Sequence, residues 1–235
     1  MTNNIYIEGI GKVKITKKKG VKRITLSVSE TGNVRITIPY PVSFKDAEQF
    51  INEKKDWIIR SRKKMKSKKR NTLFTPQTVF NTKKHRLLFI PGNKTYIIVT
   101  DSYIKVYYDK SIKFEDEKFQ NYIRTGITET LRSEAREYLP ERTKYLAEIH
   151  NFNYGKVTVR NAKTRWGSCS GKNNISLNIH LMRLPEHLSD YVILHELCHT
   201  IEKNHGKNFW MLLDKVSGNA KKLDSELKKF SPNIF

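Results

Sequence analysis

Residues 190–205 read DYVILHELCHTIEKNH, and the placing of three histidines in that stretch organises everything around it. His195 and His199 are four positions apart with Glu196 between them, and His205 follows six residues later. On a helix, residues four apart share one face, so both imidazoles can reach one ion at ~2.0–2.1 Å. At ~100° per residue with His195 at zero, His199 falls near 40° and Glu196 near 100°, while Ile193, Leu194, Leu197, Cys198 and Ile201 occupy about 160° to 300°. The pattern predicts a helix from about 190 to 203 with its back in a core and its histidines on a cleft. Cys198 belongs to the core side and is not a ligand. A chance H-E-x-x-H is expected in about one such chain in a hundred. With His205 as third ligand, a fourth position stays open for water, which marks a catalytic rather than a structural zinc site. Glu196 stands next to that position.

Outward from this segment, short strands are expected at 156–160 and 174–178, the latter either a sheet edge or a core strand. Phe119, Ile123, Ile127, Leu131, Ala135 and Leu139 recur every four residues, so a helix starts near Glu115, with Pro140 kinking it or opening a second helix. Two further helical stretches close the chain. Towards the amino terminus the period drops to two: segments 5–9, 12–16, 23–29 and 33–39 read as strands, the last two joined as a hairpin across 30–33. Ser43 and Asp46 form a capping-box signature for one helix from about 43 that carries a basic run at its far end. Strand patterns return at 85–90, 95–100 and 103–108. The expected class is α+β: a basic, antiparallel β-rich domain with one helix over 1–112, then a mainly helical domain with a small sheet over 113–235. No internal repeat is visible.

The 235 residues carry 45 Lys and Arg against 23 Asp and Glu, a formal charge of +22. Residues 1–100 hold 23 basic and 6 acidic side chains and residues 101–235 hold 22 and 17, so the excess is amino-terminal. Within Arg60–Arg70, the side chains of Arg60, Arg62, Lys63, Lys64, Lys66, Lys68, Lys69 and Arg70 are too dense for acidic partners to neutralise, which makes the run a candidate for binding nucleic acid or another polyanion. Two cysteines are too few for a disulfide framework, and no apolar stretch approaches the ~18 residues of a membrane span. The start of the chain lacks a signal-peptide pattern, so a cytoplasmic location without membrane association is expected.

The stretches TRWGSCS (164–170), NISLN (174–178), DYVILHELCH (190–199) and NHGKNFW (204–210) resemble the YgjP-like zinc-dependent metallohydrolase family, related to SprT-like and gluzincin-style peptidases. The resemblance implies a zincin-like catalytic domain. It also implies that His195, His199 and His205 bind one Zn²⁺, that Glu196 is the base, and that the substrate is a protein or peptide. The spacing to His205 is also that of metzincins, but Glu202 replaces their midway glycine, and Glu202 is a weak rival for the third ligand. Arg160, Arg165 and His180, in or beside the strands before the motif helix, are candidates for stabilising an oxyanion. Two other functions fit the same residues: metal-dependent hydrolysis of a nucleotide or other phosphorylated substrate, and nucleic-acid binding with a structural metal. Against the former, no phosphate-cradling Gly-rich loop is present.

Overall fold

The computed structural model describes residues 2–29, 31–68 and 72–232, and its class is α+β. Contacts divide the chain into two compact units, Met1–Asn71 and Thr72–Ile234. The expected boundary at 112 therefore falls inside the second unit. Phe74 shows why: its amide donates to the Gln120 side chain at 2.9 Å and its carbonyl accepts from the same side chain at 2.8 Å, tying this segment to a helix some 46 residues on.

The first unit holds β1 (Thr2–Ile7), β2 (Gly11–Lys17), β3 (Thr25–Val28) and β4 (Val34–Ile38), in the order β1-β2-β4-β3. Their alternating Ile7, Val13, Ile15, Val34, Ile36 and Ile38 form one buried face, packed with Ala47, Ile51 and Ile58. Two helices follow, not one: α1 (Phe44–Glu53) and α2 (Lys55–Lys68), broken at Lys54. The capping box is present, with the Asp46 amide donating to Ser43 Oγ at 3.0 Å and the Ser43 amide to Asp46 Oδ2 at 3.1 Å.

The second unit opens with β5 (Arg86–Gly92), β6 (Tyr96–Val99) and β7 (Tyr103–Asp109), ordered β5-β7-β6, and later carries β8 (Val157–Arg160), β9 (Gly167–Cys169) and β10 (Ile175–Asn178), ordered β8-β10-β9. One arrangement recurs three times. β3 and β4, β6 and β7, and β9 and β10 pair antiparallel, and the second strand of each pair also lies parallel to an earlier strand, β2, β5 or β8. The amino-terminal sheets are thus mixed rather than antiparallel, because alternation identifies a strand but not its partner.

The long helix α3 (Glu117–His150) is capped by Asp116 and passes through Pro140 without ending. A 3₁₀ turn (Ile179–Arg183), α4 (Glu186–Cys198), α5 (Lys207–Ser217) and α6 (Ala220–Leu227) complete the unit. α4 starts four residues before the expected position because Pro185, with no N–H to lose, occupies its cap. It also ends earlier, which puts His199 at its carboxyl-terminal cap. α3 is tied to α4 by Arg142, whose Nε and Nη2 donate to Asp190 Oδ1 and Oδ2 at 2.8 and 2.5 Å and whose Nη2 also reaches Glu186 at 2.9 Å. Among the described residues no helix is long and apolar enough to cross a membrane.

Candidate metal centre

The last turn of α4 supplies His195 and Glu196, its cap supplies His199, and the loop before α5 supplies His205. The three imidazoles converge. His205 Nε2 lies 3.0 Å from His195 Nε2 and 3.1 Å from His199 Nε2. Ligands at ~2.0–2.1 Å from one tetrahedral ion stand about 3.4 Å apart, so the set fits a single ion with slightly tighter spacing. The Glu202 carbonyl, which can only accept, lies 2.9 Å from His199 Nδ1. That bond places the proton on Nδ1 and leaves Nε2 with its lone pair directed at the site. Burial lowers His195 to about 4 and also lowers His199, which favours the neutral imidazole, the form that can ligate a metal. Glu202 enters through its backbone; among the described residues the convergent group that could hold a metal ion consists of the three histidines.

Phe209, fully buried on α5, is a floor that the sequence pattern did not single out. Its ring centre lies 4.9, 4.5 and 4.7 Å from those of His195, His199 and His205, stacked on His199 and edge-on to the other two. Its placement four residues after His205, in the first turn of the next helix, was the available signal.

Glu196 is 6% exposed, and burial raises its carboxyl to about 7 against the opposing pull of the Arg165 charge. A cation among the three Nε2 atoms would draw it back towards the ionised form. Strand β9 lies directly against it: a Cβ built on Gly167 would stand 2.7 Å from Glu196 Cγ and Oε1. β10 is the central strand of its sheet and β9 an edge, so 174–178 is a core strand.

Of the remaining expected residues, Arg165 stands close enough for its charge to act on Glu196, and the others lie apart. Arg165 is exposed on a loop held by Asn178, whose Nδ2 donates to the carbonyls of Ala162 and Arg165 at 2.7 and 2.8 Å. Arg160 is exposed at the end of β8. His180 is buried, and its Nδ1 accepts from Arg183 Nε at 3.0 Å. Cys198 is buried, as expected. In the basic run, Arg60, Arg62 and Lys63 lie on α2, and Arg62 Nε donates to the Gly32 carbonyl at 2.9 Å. Lys69, Arg70 and the side chains of Lys64, Lys66 and Lys68 lie outside the described residues.

The model of the YgjP-like metallopeptidase domain matches residues 22–230. The chain belongs to this family. Membership makes it a metallopeptidase-domain protein across most of its length, the stretch that includes the histidine triad. Two solved structures are similar over a smaller part. The metallopeptidase zymogen of Pyrococcus abyssi abylysin is 26% identical over 38% of this chain and 92% of that one, with a TM-score of 0.35. The zymogen of Methanocaldococcus jannaschii jannalysin is 23% identical over the same shares, with a TM-score of 0.34. No curated protein matches the chain.

Proposed function

We propose that the chain is a zinc-dependent peptidase in which His195, His199 and His205 hold one ion through Nε2 and Glu196 is the general base of a zincin-like site. The observation that carries this reading is the convergence of three ring nitrogens, those of His195 and His199 lying 3.0 and 3.1 Å from that of His205, beside a buried carboxyl. Zinc held there would supply the Lewis acid that brings the pKa of water towards ~7 and polarises the carbonyl under attack. Glu196 takes the proton of the attacking water and returns it to the departing amine. Arg165, whose charge already acts on Glu196, is the candidate to stabilise the negative charge that develops on the substrate oxygen. The outer edge of β9, beside Glu196, offers backbone groups to an extended peptide. A closed structural site would need a fourth protein donor, and among the described residues none joins the three histidines.

The test is metal content measured together with cleavage of an unstructured protein. Wild type should carry about one zinc per chain and cleave. His205→Ala should lose both the zinc and the cleavage. Full zinc loading in His205→Ala would remove His205 from the ligand set.

A further inference from the structure

The solvent face of the amino-terminal sheet is built in rows that register across all four strands. One row is Asn4, Lys14, Arg35 and Ser27; the next is Thr2, Thr16, Thr37 and Thr25; Lys12 and Tyr6 pair beside them. Lys12, Lys14 and Arg35 are exposed, and Tyr6 is 80% exposed. Lys14 and Arg35 are direct cross-strand partners of like charge, an arrangement that costs stability unless an anion compensates. None of the residues in these four strands is acidic, and among the described residues neither cation has an ion-pair partner. Residues 1–71 as a whole hold 19 basic and 6 acidic side chains.

We propose that this face binds single-stranded RNA, with Lys12, Lys14 and Arg35 on phosphates and Tyr6 stacked on a base. The chemistry of the face favours a single strand over the competing anions. Every aliphatic side chain of the four strands points to the buried face, so the solvent face has no aliphatic group to insert into a lipid bilayer. Four strands at ~4.8 Å spacing span about 14 Å, wider than the ~12 Å major groove that admits a two-stranded ribbon, so the sheet does not enter a duplex to read its bases. A single strand lies flat on such a sheet, its bases free to stack on an aromatic ring. The threonine row and Ser27 both donate and accept hydrogen bonds, which suits the 2′-hydroxyl that RNA has and DNA lacks. The face belongs to a different compact unit from the histidine triad, and the proposal stands independently of the peptidase assignment.

Fluorescence polarisation of a labelled 15-nucleotide oligo-U with the full chain tests it. Binding should weaken as salt rises from 50 to 200 mM. Lys14→Gln/Arg35→Gln should bind at least tenfold more weakly, with the slope of log K against log salt reduced by about 1.4, or ~0.7 per charge. Tyr6→Ala should lose at least fivefold with an unchanged thermal midpoint, and Lys14→Gln/Arg35→Gln should melt no lower than wild type because it removes a like-charge pair. Absence of binding at 50 mM salt overturns the proposal, as does unchanged binding by the double variant, which would move the site to the basic run of α2. Equal or tighter binding of oligo-dT or a duplex overturns it, and so does capture by phosphatidylserine vesicles without oligo-U binding.

Discussion

Gly167 leaves the space that the Glu196 carboxyl occupies: a Cβ at that position would fall 2.7 Å from both Glu196 Cγ and Oε1, closer than real side chains approach. The atoms that Cβ would meet belong to the proposed base, so relief by movement displaces Glu196 itself. Gly167→Ala should retain its zinc and lower kcat roughly 10²-fold, the cost of misplacing a catalytic group by about 1 Å. Steady-state kinetics with metal analysis on the same preparation checks this. Unchanged kcat would show that Glu196 does not need its observed position.

Phe209 supports all three histidines from one side, so its removal should be felt twice. Phe209→Ala leaves a cavity and should cost ~3–5 kcal/mol of unfolding free energy in the metal-free protein. Zinc affinity should fall as well, since the ring that packs against His199 is gone. Chemical denaturation under chelator and zinc titration separate the two effects.

Much of the site was legible because it is encoded at short range. His195, Glu196 and His199 lie within two helical turns, and helical periodicity assigned Cys198 to the core. What stayed hidden depends on contacts distant in sequence. β9 is only three residues long, too short for alternation to reveal, and the approach of Gly167 to Glu196 joins positions 29 apart. Parallel pairing of β2 with β4 and of β5 with β7 is likewise invisible to a pattern read along one strand. The unit boundary near 71 was missed because residues 72–112 look like the strands before them and yet bond to α3.

Arg142 fixes α3 to the start of the motif helix through a two-pronged contact with Asp190, whose side chain is 18% exposed. Arg142→Met keeps the aliphatic stem and strands the carboxylate. A loss of about 2 kcal/mol is expected, within the range of bonds to charged groups and below that of fully buried pairs. In a double-mutant cycle with Asp190→Asn, the two losses should be strongly non-additive.

His180 gives a pH dependence of defined sign. Burial, reinforced by the Arg183 charge, lowers its folded-state value to about 3 from the 6.5 of an exposed imidazole. Between those values the unfolded chain binds a proton that the folded chain does not. The stabilising contribution is therefore complete above about pH 6.5 and is lost as pH falls towards 3, at up to ~1.4 kcal/mol per pH unit. His180→Gln, whose amide oxygen can still accept from Arg183, should flatten the dependence by about one proton. Denaturant titrations of the metal-free wild type and variant between pH 7 and 4 measure the difference.

The most direct measurement is zinc stoichiometry and peptide-bond cleavage for wild type and Glu196→Gln side by side. Glutamine preserves the shape of the side chain but not its capacity to take a proton, and Glu196 does not belong to the convergent group of three histidines. The variant should bind about one zinc per chain, as wild type does, and cleave roughly 10²–10⁴-fold more slowly. Cleavage by Glu196→Gln at the wild-type rate, or a wild-type protein that binds no zinc, would contradict a zinc peptidase with Glu196 as its base.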